Sequence, residues 1–248
     1  MNKVILAIDV GLRNLAVCIM TAENKNDMKT YKIHVWDVYN VLDGDDYHCQ
    51  NTFKNGNLCN RICTMKYIPI KQENQSYIYC CKTHFPKDIK QTKLNQFKKK
   101  RINEYLLQDI ATAFILKVQE IYDNNPIFKS VTTIQIELQP RINQKSLFTS
   151  HILYGKLVEL YKNTNTSIRF IRASQKLKIY KGPSIVCNLK GKYAQRKWLS
   201  IQYTKWFLEN KFNNEEREKW LPIFNSHSKM DDLADAANYC INFFQTKK

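Results

Sequence analysis

The segment VILAIDVGLRNLAVCIM, Val4 to Met20, constrains the fold more than any other part of the chain. Its Val, Ile, Leu and Ala residues on both sides of Gly11 read as two strands, 3–10 and 14–21, joined by a tight turn. Tyr31–Val38 reads as a third strand, so the chain opens with a meander at the start of a sheet. One residue does not suit such a place. Asp9 lies in the middle of the apolar run, and an ionised carboxylate buried there is costly unless something pairs with it. A turn starting at Asp9-Val10-Gly11 accounts for the acid equally well at this point, and the rest of the chain has to decide.

With 248 residues, 44% hydrophobic and 12% aromatic, the chain is long enough for a sizeable core. No apolar run has the length of a membrane span. The N-terminal stretch carries Asp9, Arg13 and Asn14 and lacks a small-residue cleavage site, which fits a core strand better than a signal peptide. A soluble intracellular protein is expected. The net charge of +17 points to a polyanionic partner, because neutralising phosphates releases condensed counterions. Between Arg169 and Lys197 there are nine basic residues and no acid. A second run, Lys87 to Arg101, holds seven basic residues against Asp88.

Farther along, a polar, cysteine-rich stretch interrupts the pattern and reads as an insertion over residues 45–95. It leaves 1–44 and 96–248 as one domain. From Lys98 the spacing turns helical, with Ile102, Leu106, Ile110, Phe114 and Val118 on one face. Ser130–Leu138 reads as a strand, 143–161 as a helix, Ser167–Ile171 as a strand, then Tyr193–Leu208 and Lys229–Phe244 as helices. Strands and helices in this order argue for an α/β domain with a mixed sheet.

Three more acids now join Asp9. Glu137 ends the strand SVTTIQIEL, and the last helix supplies Asp232 and Asp235 on one face, beside Asp231 at its start. Four carboxylates converging at one end of a sheet repel one another unless divalent cations sit among them. Oxygen ligands of this kind suit Mg²⁺ or Mn²⁺. Two such ions, about 4 Å apart, clamp the attacking and leaving oxygens of an in-line phosphoryl displacement. Asp231 reads as a helix-start acid favoured by the dipole.

The motifs DVGLRNLA, IELQP and DDLADA, in that order, resemble those of the RuvC-like Holliday junction resolvases of the RNase H-like superfamily. The likeness is to the branch found in poxviruses, other large DNA viruses and fungal mitochondria. GKYAQRK, Gly191 to Lys197, is similar to that family's Tyr-x-x-Arg-Lys helix start. The resemblance covers nearly the whole chain except 45–95. It implies an RNase H-like mixed five-stranded sheet flanked by helices, with Asp9, Glu137, Asp232 and Asp235 as ligands of two Mg²⁺ (or Mn²⁺) ions. It also implies a lysine acting in the basic segment, placed at Lys197 with Lys192 second. The implied activity is that of an endodeoxyribonuclease nicking opposing strands of a four-way DNA junction as a homodimer, with no nucleotide cofactor and no membrane. The DNA-facing set expected is Arg13, Asn14, Arg141, Arg172, Lys176, Lys178, Lys181, Lys192 and Arg196. Tyr180 and Tyr193, interleaved with these, are candidates for wedging into a junction. A viral relative implies a cytoplasmic replication site, a fungal one the mitochondrion.

The insertion has its own chemistry. His48 to His84 contains Cys49, Cys59, Cys63, Cys80 and Cys81, a set that in an intracellular chain suggests metal before disulfide. Cys49, Cys59, Cys81 and His84 are expected to form a closed Cys₃His site for structural Zn²⁺, with Cys63 and Cys80 as alternates. Lys54, Arg61, Lys66 and Lys71 give the insertion a basic surface.

Three other function classes compete. A hybrid nuclease or transposase-type enzyme would use the same acids on another substrate. A catalytically dead branched-DNA-binding protein would have no need of all four acids. An actin-like sugar kinase also opens on a strand and Asp-x-Gly, but it needs a second Gly-rich phosphate loop. The six glycines here form none.

Overall fold

The computed structural model describes residues 3–42, 47–69, 77–97 and 101–246. In chain order its elements are β1 (Val4–Val10), β2 (Asn14–Ala22), β3 (Tyr31–Asn40), β4 (Met65–Tyr67) and β5 (Ile78–Cys80). There follow α1 (Leu107–Asn124), β6 (Thr133–Leu138), α2 (Gln144–Tyr161), β7 (Ser167–Arg172), α3 (Lys192–Asn210), α4 (Asn214–Ser226) and α5 (Met230–Gln245). The chain divides into two compact units, Met1–Leu42 with Leu106–Lys248, and Asp43–Tyr105.

The first unit is built on a five-stranded sheet in the order β3-β2-β1-β6-β7. β1 and β2 pair antiparallel, as do β2 and β3, while β6 runs parallel to both β1 and β7. The mixed sheet expected from the sequence is therefore present. Gly11 makes the β1–β2 turn possible. A Cβ there would stand 2.8 Å from the Asn14 carbonyl oxygen, which itself accepts from the Gly11 N–H at 2.9 Å.

β1 is covered on both faces, so it reads as a nearly unbroken apolar run. Ile5 and Ala7 share a core with Phe207, Leu233, Ala237, Cys240 and Ile241 of α3 and α5. Leu6 and Ile8 point the other way, toward Val118 and Ile121 of α1 and Leu153 and Leu157 of α2. Strand alternation then puts Asp9 on the α5 side.

Three elements differ from expectation. α1 begins only at Leu107; Ile102 lies in a short 3₁₀ turn, and Leu106 is 67% exposed with no core to pack on. Its expected start at Lys98 and the lysines at 98–100 lie outside the described residues, as do Lys71 and position 45. β6 starts at Thr133, because Pro126–Ser130 forms a 3₁₀ turn. α4 is an additional helix, capped by Asn213, whose side chain accepts from the Glu216 N–H at 2.9 Å. Its buried Glu216 accepts from the Ile33 N–H on edge strand β3 (2.8 Å) and from Trp220 Nε1 (3.1 Å).

The second unit contains the two-stranded sheet β4–β5. Its core gathers Cys49, Cys59, Cys63, Met65, Cys80 and Cys81, with Phe53, Tyr67, Tyr79, Phe85 and Phe97 packed around them.

Candidate active site

Register sets the first two acids side by side. Ile8 pairs with Ile136 across the parallel β1–β6 ladder, so Asp9 and Glu137 follow one residue later on the same face. α5 packs against that face and brings Asp235, which is 6% exposed. One carboxylate oxygen from each of Asp9, Glu137 and Asp235 lies within 4.8 Å of the others. The site thus stands at the carboxyl ends of parallel strands, where α/β sheets commonly place their chemistry.

α3 holds α5 in register. Along the two helices Lys197 pairs with Asp231, the Ser200 hydroxyl donates to Asp235 Oδ1 at 2.5 Å, and Thr204 Oγ1 donates to Asn238 Oδ1 at 3.2 Å. Asn238 Nδ2 in turn donates to Ser200 Oγ at 3.0 Å. Ser200, Thr204, Asp235 and Asn238 are buried, so the Asp235 carboxylate has a fixed orientation.

This register decides which lysine meets the acids. Lys197 lies one helical turn before Ser200 and is taken up by Asp231. Lys176, from the 3₁₀ segment Ala173–Leu177, bonds Asp235 and stands 3.6 Å from Glu137. Lys197, the lysine expected to act in the basic segment, thus pairs with Asp231 and not with the three gathered acids. Sequence reasoning places Lys176 only among the DNA contacts.

Asp232 lies outside the group within 4.8 Å. Burial and its neighbour Asp231 raise its pKa, while a hydrogen bond from the Asn14 side chain acts the other way. Arg13 is half-buried, and its carbonyl accepts from the Val41 N–H at 2.7 Å. Arg141, Arg172, Lys178, Lys181, Lys192 and Arg196 are exposed, as a phosphate-contacting set requires. The two tyrosines differ. Tyr193 is 69% exposed, whereas Tyr180 stacks on Tyr203 with ring centroids 4.0 Å apart.

Electrostatically the site is frustrated. Burial, then the charge of Glu137 and a hydrogen bond to it, push the Asp9 carboxyl well above the usual range. Burial acts on Glu137 in the same sense, but the bond from Asp9 and the Lys176 ammonium outweigh it and hold Glu137 low. Asp235 is pushed up to about 6 by burial, against the opposing pull of Lys176 and Ser200. The two shifts run in opposite senses, so Asp9 favours its protonated form beside an ionised Glu137. Burial and the three acids raise the Tyr239 phenol, so it stays neutral beneath them. Glu137 Oε2 is buried and accepts no hydrogen bond, with the Lys176 ammonium 3.6 Å from it. Three converging carboxylates fit a hard divalent cation, whose charge would favour their ionised forms.

The cysteine group lies in the second unit. Cys49, Cys59, Cys81 and His84 place one ligand atom each within 4.8 Å of the rest. Cys49 Sγ and Cys81 Sγ are 3.4 and 3.5 Å from His84 Nδ1, and Cys59 Sγ is 3.7 Å from Cys81 Sγ. A tetrahedron with Zn–S bonds of about 2.3 Å has S···S edges of about 3.8 Å, so the spacing fits zinc. Burial opposes ionisation of Cys49, yet hydrogen bonds from the Cys81 backbone, Asn51 and His84 bring its pKa down to about 6. Cys63 and Cys80 are pushed up to about 11 by burial and the neighbouring sulfurs, which suits neutral core thiols.

Comparison with known proteins gives four likenesses. Residues 5–141 match the catalytic-domain family described as mitochondrial resolvase Ydc2 / RNA splicing MRS1. An uncharacterised protein of Acanthamoeba polyphaga mimivirus is 25% identical over 229 residues, covering 85% of this chain and 52% of its own length. The chain thus spans about half the length of that relative. The crystal structure of the yeast mitochondrial Holliday junction resolvase Ydc2 superposes with a TM-score of 0.50 at 14% identity, over 98% of this chain and 79% of that one. This likeness establishes the RNase H-like fold. RuvC from Thermus thermophilus matches at a TM-score of 0.45 and 11% identity, over 96% of this chain and 94% of its own.

Proposed function

The chain belongs to the family of the mitochondrial resolvase Ydc2 and the RNA-splicing protein MRS1, and from that premise we propose that it is a Holliday junction resolvase. It nicks opposing strands of four-way DNA junctions by phosphodiester hydrolysis that depends on divalent metal. The observation that carries this reading is the convergence of Asp9, Glu137 and Asp235 beside a basic segment.

Asp9, Glu137 and Asp235 would hold Mg²⁺ or Mn²⁺. A second ion would draw on Asp232, which shares a helix face with Asp235. When bound, the ions supply charge stabilisation for the in-line displacement. The chain's own groups do the rest. Ser200 and Asn238 orient the Asp235 carboxylate, and neutral Tyr239 excludes water behind Glu137. Lys176 carries a positive charge to the edge of the acid group, where a phosphate would lie. Arg141, Arg172, Lys178, Lys192 and Arg196 hold the arms of the DNA. Cys49, Cys59, Cys81 and His84 would hold a structural Zn²⁺. A homodimer suits the reaction, because one site makes one nick and a resolved junction needs two.

The test uses a synthetic four-way junction with and without Mg²⁺. Paired, symmetric nicks are expected, and Asp9→Asn should abolish them while keeping junction affinity. Preferential cutting of an RNA–DNA hybrid or a linear duplex would replace this reading with another nuclease. Junction or structured-RNA binding without any cleavage would point to the splicing-protein side of the family.

A further inference from the structure

At the opposite end of the sheet from the acids, the first unit has a second basic feature. Asp9 pairs with Ala16 near the β1–β2 turn, whereas the β2–β3 connection leaves from Ala22 and returns at Tyr31. That connection, the loop at 179–181 and the C-terminal ends of α3 and α5 enclose a groove of about 510 Å³. Lys25, Lys29, Lys181 and Lys211 line it, with Trp206 and Asn210. Its single acid, Asp27, accepts from the Lys29 N–H at 3.0 Å through one carboxylate oxygen. Lys211 Nζ stands over the Trp206 ring, 5.2 Å from its centroid.

We infer that this groove is a second nucleic-acid subsite, in which backbone phosphates of a DNA strand meet the four lysines and one unpaired base lies against Trp206. Three features favour a strand over a small anion. The lysines come from three separate segments, so their charges are spread along the groove rather than focused on one point. The groove joins charge to an indole face, the combination that tracks a backbone while stacking a base. Finally, the basic segment links the groove to the acids, since Lys176 bonds Asp235 and Lys181 lines the groove. Asn242 on α5 donates to the Gln175 carbonyl at 3.3 Å, tying that segment to the helix between the two places. From Asp235 to Gln245, α5 covers about 15 Å at roughly 1.5 Å per residue. That is about four to five nucleotides of a strand at roughly 3.4 Å each.

The inference rests on the resolvase reading for its substrate, but its test does not require cleavage. The full chain is compared with a Lys25→Gln/Lys29→Gln/Lys211→Gln variant for anisotropy binding of a four-way junction and a dT oligonucleotide over a salt series. Each lost phosphate contact removes about 0.9 from the log–log salt slope on duplex DNA and about 0.7 on a single strand. A slope lower by about two to three and at least tenfold weaker binding are expected. The indole fluorescence quenched by the oligonucleotide should be absent in Trp206→Phe, which keeps the aromatic packing. Unchanged slope and affinity in the triple variant would overturn the inference. So would displacement of the oligonucleotide from the groove by micromolar pyrophosphate, the mark of a small-anion pocket. Loss of slope in a protein that never nicks junctions would leave the groove standing and remove the resolvase reading; normal slope with paired nicking would do the reverse.

Discussion

Lys176 carries an ammonium into a pocket that already holds Asp9, Glu137 and Asp235, and those acids outweigh the burial that would otherwise lower its pKa. It therefore stays charged and balances part of the cluster. Replacing it by Met leaves the acids to repel one another, so Lys176→Met should reduce junction nicking by at least a hundredfold. Lys197→Met removes a partly exposed pair with Asp231, a contact of the kind worth about 0–1 kcal/mol, and should cost less than tenfold. Parallel single-turnover assays of the two variants check this, and equal losses would return the role to Lys197. The contrast also marks how far single residues are legible. Asp9 and Glu137 stand out because an acid in an apolar strand has no bland explanation once a second and third appear. The lysine does not. Among the nine basic residues between 169 and 197, only the 3₁₀ turn after β7 and the register of α3 on α5 separate Lys176 from Lys197, and neither leaves a periodic trace in sequence.

Elements are legible where their pattern is regular. β1, β2 and α2 fall within a residue or so of their expected bounds, because both faces of the strands and one face of the helix are apolar. α4 escapes such a reading. Its segment NEEREKWLPIFNS is mostly polar, holds Pro222, and buries a glutamate in place of a hydrophobe. The cap at Asn213 and the acids after it are the available signal. Two glycines separate turn from helix in a testable way. Gly155 lies exposed within α2, and a methyl added there meets no neighbouring atom, so Gly155→Ala should stabilise by about 0.5–1 kcal/mol. Gly11→Ala drives a methyl against the Asn14 carbonyl and should destabilise by about 1–3 kcal/mol. Urea unfolding of both variants decides, and the same sign for both would refute the turn argument. The β2–β3 pair adds a pH effect. The register slips between Ile19 and Met20, opposite His34, whose Nε2 lies 2.8 Å from Thr21 Oγ1. Burial, then Lys32 and Lys219, lower the His34 pKa below 6.5. The folded state thus binds fewer protons than the unfolded one around pH 6, and stability rises with pH through that window. His34→Gln should lose this rise between pH 5 and pH 7.5, measured by the same unfolding.

At the scale of the whole molecule, the two units have different sources of stability. The first unit closes a core between its sheet and α3, α4 and α5, with Ile5, Tyr31, Phe224 and Tyr239 essentially inaccessible to solvent. The Asp43–Tyr105 unit has only about 60 residues, a size at which apolar burial is marginal. Its two strands span three residues each, and its centre is made of sulfur rather than aliphatic side chains. Thiols gathered this closely lose free energy to mutual repulsion once ionised, unless a cation takes their charge. Cys49, with its pKa brought down to about 6, is ionised at neutral pH. Zinc held by Cys49, Cys59, Cys81 and His84 would therefore contribute its binding free energy to the folding of this unit. Differential scanning calorimetry should resolve two transitions. A strong zinc chelator should abolish one and leave the other within a few degrees, with zinc content falling from one ion per chain to none. Cys81→Ser and His84→Ala should reproduce the chelated trace, whereas Cys63→Ser should keep its zinc, because the Cys63 thiol is held neutral outside the ligand group. A zinc-free protein that keeps both transitions would show that the sulfur core folds without metal. It would also free the second unit from the role of a metal-nucleated insertion.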